Sequence, residues 1–183
     1  MNLWINVVFY QATWLGAIAG AARGWWWAGP TIFAVFAAWQ LAVSRLRVAD
    51  LELMLCAAVV GFIVDSFCIR GGLFVYAAPV PWPDYAPIWI VALWMSFALT
   101  LNHSLAWLKS HLLLASVLGA IGAPLAYFAA ARGWNALAIA ADPALAFGAL
   151  ALAWAILTPT LFWLAGRLSP PMPATSSLRE AWR

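Results

Sequence analysis

The chain has 183 residues, of which 67% are hydrophobic and only 8% are charged. Soluble domains are close to half apolar and about a quarter charged, so these proportions exclude an ordinary soluble domain. Two cysteines exclude a disulfide-rich secreted scaffold, and the hydrophobicity excludes intrinsic disorder. A polytopic helical membrane protein remains, with room for about six spans of roughly 20 residues.

Six apolar stretches, each followed by a basic residue, predict membrane-spanning helices. They cover residues 2–22, 25–44, 51–69, 87–108, 111–131 and 143–166. A membrane β-barrel would instead need segments of about ten residues that alternate apolar and polar, whereas 51–64 is apolar throughout except for Glu52. We therefore predict an all-α polytopic membrane protein, a six-transmembrane-helix bundle over 1–168. A flexible cytoplasmic tail is expected over 169–183.

Lys and Arg residues are divided unequally between the two sets of loops. The even-numbered loops and the tail hold six, namely Arg45, Arg47, Lys109, Arg167, Arg179 and Arg183. The odd-numbered loops hold three, namely Arg23, Arg70 and Arg132. Because cytoplasmic loops are rich in Lys and Arg, both termini are predicted to lie in the cytoplasm. The long loop 71–86 contains three prolines and is predicted to form an ordered, extended cap at the outer surface.

Asp65 is the clearest candidate for a functional residue, because it is the only acid well inside a predicted span. An acid at a helix centre costs about 2.5–3.5 kcal/mol on insertion scales. Ala58 and Gly61 share its helix face, which predicts close packing against another helix. One interpretation is a structural ion pair with Arg70 or Arg132. The other is a ligand, proton or substrate site, and the residues leave both open.

The fourth predicted span carries a polar face. At 100° per residue, six side chains fall within about a 100° arc: Trp89, Ser96, Thr100, His103, Ser104 and Trp107. Asn102 is expected to point roughly 120° away from them. We interpret Ser96 and Thr100 as hydrogen-bonding within the bundle. Two interpretations of His103 remain open. It could hydrogen-bond to Glu52 or Gln40 across the bundle, or it could form a functional site on a cleft open to the cytoplasm.

Helical rise predicts that Asp65 and His103 lie near opposite membrane faces, more than about 10 Å apart in height, so they should not form a dyad. Two polar layers are expected instead. The cytoplasmic layer would gather Asn6, Gln40, Glu52, Asn102, His103 and Ser104. The outer layer would gather Asp65, Ser66, Arg70, Tyr127, Arg132 and Asp84.

Other features define the expected ligands and partners. Trp14, Trp94 and Trp154 lie deep in their spans, where indole rings can line an apolar or lipid-like cavity, although packing is commoner. Ala12, Gly16 and Gly20 recur every four residues, which favours close helix contact within the chain or with a membrane-protein partner. The sequence lacks a Gly-x-Ser-x-Gly motif, a metal-binding histidine pair and a basic patch. We expect no metal, cofactor or nucleic acid, and membrane lipid as a partner.

The stretch over 94–108, WMSFALTLNHSLAWL, resembles the signature of the bacterial membrane family called domain of unknown function 2878. A second stretch over 118–127, LGAIGAPLAY, is similar to that family's later signature, where Gly-Gly-Pro is usual in place of Gly122-Ala123-Pro124. The match includes Asp65 and covers most of the chain in order. The resemblance implies an inner-membrane protein without an assigned activity. It also hints at membrane-lipid chemistry, because the genes of its members lie beside genes for fatty-acid-modifying methyltransferases and flavin enzymes.

Three functions remain open. The leading hypothesis is a membrane component that handles, or helps modify, a lipid or another apolar small molecule, whether or not it is itself an enzyme. The alternative is a transport module, because the length, six spans and small-residue first helix resemble the substrate-binding subunits of energy-coupling-factor transporters. The third is a structural assembly subunit. The candidate polar site comprises Asp65, Arg70, Ser96, Thr100, His103, Ser104 and Tyr127.

Overall fold

The computed structural model describes residues 3–169, so the predicted tail lies, except for Ser169, outside the described residues. Within them the chain forms six α-helices, two short strands and one 3₁₀ helix. The helices are α1 Leu3–Ala21, α2 Ala28–Val43, α3 Arg47–Arg70, α4 Ile88–Leu101, α5 Leu112–Trp134 and α6 Pro143–Leu168. The strands are β1 Phe74–Tyr76 and β2 Leu137–Ile139, and the 3₁₀ helix is Ala106–Ser110. The all-helical prediction is thereby confirmed in its main part.

Four of the helices in residues 3–169 are long and apolar enough to cross a membrane, namely α1, α3, α5 and α6. The helices α2 and α4 are apolar but shorter, with 16 and 14 residues. At 1.5 Å per residue they extend about 24 and 21 Å, less than the roughly 30 Å of a hydrocarbon core. The lengths alone therefore support a membrane protein with four spanning helices.

Hydrogen bonds between α3 and α4 show that these two helices run antiparallel. Trp94 of α4 donates to Asp65 near the end of α3, whereas Asn102, directly after α4, donates to Asp50 near the start of α3. Asp50 and Asp65 are about 22 Å apart along the helix. We call the two ends of the bundle the Asp50 end and the Asp65 end. The first and last described helices both have a terminus at the Asp50 end, because Ser104 there bonds to Asn6 and Asn102 accepts from Ser169.

The prediction of one continuous helix over 87–108 is wrong beyond Leu101. The backbone N–H groups of His103 and Leu105 both donate to the Thr100 carbonyl, which closes a turn and ends α4. Asn102, His103 and Ser104 then use their side chains to bond to residues of α3 and α1. Since the 100° spacing stops at this turn, the predicted polar face does not extend to Trp107.

The loop after α3 is ordered, as its prolines predict, and it also contains strand β1. Strand β1 pairs antiparallel with β2, with Val75 opposite Ala138. The loop is further fixed because the Ala86 N–H donates to Ser66 Oγ at 3.0 Å. This short sheet closes the Asp65 end and directs Tyr76 into the bundle, where it is 4% exposed.

Gly16 and Gly20 of α1 lie against α2. A Cβ atom at Gly16 would clash with the Ile32 side chain, and one at Gly20 would clash with Ala28. Close helix contact within the chain therefore accounts for these two glycines. Ala12 is exposed, and a partner protein on this face stays a prediction.

Candidate functional site: a buried carboxylate beside an apolar cavity

Asp65 is completely buried and accepts hydrogen bonds from three neutral donors. Its Oδ1 accepts from the hydroxyl groups of Tyr76 at 2.5 Å and Tyr127 at 2.6 Å, and its Oδ2 accepts from Trp94 Nε1 at 2.7 Å. The expected ion pair with Arg70 or Arg132 is wrong. Arg70 donates to the Tyr85 hydroxyl at 3.1 Å, and Arg132 is exposed. Asp65 thus joins α3, β1, α4 and α5.

Local structure explains how Trp94 reaches this carboxylate. Gly61 lies one helical turn before Asp65 on the same face of α3, and a Cβ atom at Gly61 would clash with the Trp94 ring. The small residue therefore lets the indole lie flat against α3, with its N–H directed at Asp65. Burial and the nearby Asp65 charge both raise the pKa of Tyr76 well above its ordinary value, so its hydroxyl remains a proton donor.

A cavity of about 290 Å³ adjoins this cluster, and Trp94 and Tyr127 belong to both. Its walls come from α1, α4, α5, α6 and the segment after α4, and they are mainly aromatic or aliphatic. The principal lining residues are Tyr10, Trp14, Ile90, Trp94, Phe97, Leu105, Gly119, Gly122, Tyr127, Trp154, Thr158 and Phe162. The volume lies at the lower end of known ligand sites, which run from about 300 to 1,000 Å³.

Two polar atoms in the cavity wall have no hydrogen-bond partner. They are Trp154 Nε1 and Thr158 Oγ1, both buried. The other described threonines, Thr13, Thr31, Thr100 and Thr160, each donate to a backbone carbonyl of their own helix. Thr158 lacks such a bond to the backbone, although threonine commonly forms one in membrane helices. Buried polar groups normally have partners, so these two atoms are candidate hydrogen-bond donors to a bound molecule.

The neighbouring proline does not account for the unpaired hydroxyl. Pro159 lies inside α6 and lacks the N–H that would bond to the carbonyl of Ala155, four residues before it. That carbonyl instead accepts from Ser116 Oγ of α5 at 2.6 Å. Ser116 of α5 therefore supplies the hydrogen bond that Pro159 cannot donate, and the Thr158 hydroxyl is not used for it.

A second buried acid, Asp50, organises the opposite end of the bundle. It is fully buried and accepts from Ser44 Oγ at 2.6 Å and Asn102 Nδ2 at 2.9 Å. His103 Nε2 lies 2.9 Å from Asp50 Oδ2, with the His103 side chain only 5% exposed. The expected partners of His103, Glu52 and Gln40, are wrong, because Glu52 is exposed and Gln40 bonds to Asn6.

Two further sets of hydrogen bonds lie at the Asp50 end, one around Asn6 and one that extends the Asp50 cluster through Asn102. Asn6 also donates to the Leu99 carbonyl and accepts from Ser104 Oγ at 2.6 Å. Lys109 donates to Asn102 at 2.5 Å and to Ser169 at 3.1 Å. Burial lowers the pKa of Lys109, and the negative charge of Asp50 opposes that shift. The predicted cytoplasmic layer is therefore a real set of contacts, with Asp50 in place of Glu52.

The structure divides the predicted site residues into separate groups. Asp65 and Tyr127 touch each other, His103 contacts Asp50, and Ser104 donates to Asn6. Ser96 donates to Ala92 and Thr100 donates to Phe97, each within α4. These two hydroxyls therefore pair with backbone and border no cleft. In the outer layer, Ser66 and Arg70 bond to the loop, whereas Asp84 and Arg132 are exposed.

Sequence reasoning missed Asp50, Tyr76 and Thr158. Asp50 stood at the edge of an apolar stretch, where hydropathy assigns charged residues to loops. Tyr76 falls in a Phe-Val-Tyr triplet, a β-favouring composition that is too short to predict a strand. Thr158 could have been noticed from its neighbour, because Pro159 inside a membrane helix leaves a backbone carbonyl that needs another hydrogen-bond donor.

Comparisons with known proteins agree with the signature stretches. No curated protein and no solved structure is detectably similar to the chain. A family model described as a protein of unknown function (DUF2878) matches residues 3–160. That range includes Asp50, Asp65, the Asn102–Ser104 turn and Thr158. The chain therefore belongs to the DUF2878 family of proteins of unknown function.

Proposed function

We propose that this protein binds a membrane lipid or another apolar small molecule in the cavity, as a six-span protein of the bacterial cytoplasmic membrane. The observation that carries this proposal is the apolar cavity of about 290 Å³ whose wall includes two unpaired polar atoms. An apolar cavity excludes water, and an unpaired polar atom in such a cavity is costly unless a ligand bonds to it.

The route into the cavity is sideways, from the membrane. Leu118 and Gly122 line the cavity and are also exposed on the outside of the bundle. Both lie near the middle of α5, at the depth of the lipid chains in a spanning helix. A molecule dissolved in the bilayer can therefore enter between α5 and α1 without crossing water.

The six-span arrangement rests on the directions of α2 and α4. Helix α4 runs from the Asp65 end to the Asp50 end, antiparallel to the spanning helix α3. Helix α2 begins near Trp89, which follows the start of α4, and is followed by Ser44, which bonds to Asp50. Both short helices thus run along the part of α3 between Asp50 and Asp65, which is about 22 Å long. The excess of basic residues assigns the Asp50 end, with both termini, to the cytoplasm.

Cavity occupancy is tested by filling the cavity from within. A Cβ atom at Gly122 meets no other atom within 4 Å, so Gly122→Phe places a ring at the opening without a clash at its first atom. Gly148→Phe is the matched control, because Gly148 is also a helical glycine with open space around it and does not line the cavity. The full chain is purified in lipid nanodiscs, and bound compounds are extracted and measured by mass spectrometry.

We expect one compound, or one class, to be enriched over bulk lipid in the wild type and in Gly148→Phe. In Gly122→Phe that enrichment should fall at least tenfold. Equal retention by both variants, or no enrichment in any of the three proteins, would refute binding in this cavity.

A further inference from the structure

The residues that line the cavity indicate the charge of its ligand. Among the described residues that line it, none is charged, and those with a polar side-chain atom are Tyr10, Trp14, Trp94, Tyr127, Trp154 and Thr158. The nearest acid, Asp65, lies behind Trp94 and Tyr127, and both of its oxygens accept hydrogen bonds. An ionised ligand would lose its hydration without gaining a counter-charge, so the cavity suits an uncharged molecule.

The two unpaired atoms belong to side chains of the same helix. Trp154 and Thr158 are four residues apart on α6, so their side chains lie on the same face, one turn from each other. The indole N–H is only a donor, and the threonine hydroxyl can also donate. One acceptor oxygen between them would satisfy both groups.

The donor on Trp154 is held in a fixed orientation. Its ring stacks on the Trp94 ring, with centroids 4.4 Å apart, and Trp94 is itself fixed by its bond to Asp65 at 2.7 Å. Thr158 Oγ1 packs closely against Gly119, because a Cβ atom at that position would clash with the oxygen. Donors held in place before binding favour a ligand oxygen at one position.

We propose that the ligand is an uncharged lipophilic molecule with a carbonyl- or ether-type oxygen, which accepts hydrogen bonds from Trp154 Nε1 and Thr158 Oγ1. This assignment rests on the proposed function, since it needs an occupied cavity. It deepens that function by excluding two other kinds of apolar guest, the ionised amphiphile and the plain hydrocarbon.

The test uses a long-chain methyl ketone carrying carbon-13 at the carbonyl, in nanodiscs with the full chain. Its carbonyl stretching band is measured by infrared difference spectroscopy. A carbonyl that accepts two hydrogen bonds absorbs at lower frequency than one dissolved in lipid. In the wild type and in Gly148→Phe, this shifted band should appear and its intensity should saturate as ketone is added. In Gly122→Phe it should be absent.

The unpaired donors are tested by two variants that each remove one donor. Thr158→Val replaces the hydroxyl with a methyl group and keeps the side-chain shape, whereas Trp154→Phe removes the indole N–H together with part of the ring that stacks on Trp94. Each should move the band part of the way back to the lipid value and weaken ketone binding about tenfold, the effect of one lost hydrogen bond. The alkane of the same length should displace the ketone only weakly from the wild type. Because the alkane forms no hydrogen bond to Thr158, its own affinity should not fall in Thr158→Val.

Wild-type measurements alone can already refute the assignment. It fails if the alkane or the fatty-acid anion competes as well as the ketone, or if bound ketone shows only the lipid-like band. Those results would leave the proposed function standing, provided that Gly122→Phe still abolishes retention of the copurified compound. If retention is also unaffected by Gly122→Phe, the proposed function fails as well.

Discussion

His103 lies against Asp50, with Nε2 2.9 Å from Oδ2, and both side chains are almost completely buried. The same carboxylate accepts from Asn102, the residue just before His103. Two neighbours that an uninterrupted helix would point in different directions therefore converge on one acid. Asn102 is part of the same cluster and cannot serve as an uninvolved control for His103.

The Asp50 cluster should be a major source of stability. We expect Asp50→Ala to lower the free energy of unfolding by about 3–5 kcal/mol, because it leaves buried polar partners uncompensated. His103→Ala and Asn102→Ala should each cost less, since Asp50 keeps its other bonds. A double-mutant cycle between Asp50 and His103, measured by reversible unfolding in mixed micelles, should give a coupling energy of about 0.5–3 kcal/mol. Additive effects would show that the contact contributes nothing of its own.

Asp65 should tolerate an amide better than an apolar side chain. Asp65→Asn keeps one acceptor oxygen, and the tyrosine hydroxyls can rotate to accept from the new NH₂ group, so we expect a loss of about 1–3 kcal/mol. Asp65→Leu leaves the hydrogen-bonding groups of Tyr76, Tyr127 and Trp94 unpaired and should cost at least twice as much. Unfolding of the two variants under the same conditions measures the difference. Had Asp65 been half of a buried ion pair, both replacements would leave the partner's charge uncompensated and would cost similar amounts. Equal stability of the two variants would therefore contradict the hydrogen-bonded arrangement.

The helices could be predicted from sequence because apolar length is a local property. The stretches 2–22, 111–131 and 143–166 agree with α1, α5 and α6 to within three residues at each end. The start of α3 was placed four residues late, because Asp50 was assigned to a loop. Its burial depends on Asn102 and His103, which are 52 and 53 residues away, and no local pattern encodes those contacts.

The candidate site was predictable only in part, for a related reason. Asp65, Trp94 and Trp154 attracted attention as polar or aromatic residues deep in spans. The donors that complete the Asp65 cluster come from β1 and α5, and β1 forms only because it pairs with β2, some 60 residues later. The cavity depends on how the α5–α6 pair lies beside α4, and hydrophobic periodicity carries no information about such gaps.

Cysteine labelling should find the turn after α4 protected. Thr100, Asn102 and Ser104 are at most 8% exposed, and the His103 side chain is 5% exposed. In a background without Cys56 and Cys68, we expect cysteines at these four positions to react slowly with a water-soluble thiol reagent. Ser110→Cys, at an exposed position in the same segment, should react rapidly. Rapid labelling at 100, 103 and 104 with protection at 102 would instead indicate the cytoplasmic cleft expected from sequence.

The orientation can be read from reporter fusions. Fusions after Arg23, Gly72 and Arg132 should report the periplasmic side, and fusions after Arg47, Lys109 and Arg183 should report the cytoplasm. The first three positions lie in the last turn of, or just after, helices that end at the Asp65 end, and this end holds three of the nine basic residues. A fusion pattern in which Arg23 and Arg47 report the same side would mean that α2 does not cross the membrane.

Close packing at Gly61 should control both stability and the shape of the cavity. Gly61→Ala places a methyl group into the Trp94 ring, so Trp94 must move away from Asp65 or α3 must shift. We expect a loss of about 1–3 kcal/mol in unfolding free energy, the usual cost of overpacking. The movement should also disturb the Trp94–Trp154 stack and lower retention of the bound compound. Gly148→Ala is the control, because a Cβ atom there meets open space, and alanine favours a helix over glycine by roughly 0.5–1 kcal/mol. If both variants behave like the wild type in unfolding and retention, Trp94 does not need the space at Gly61, and the proposed link between Asp65 and the cavity is broken.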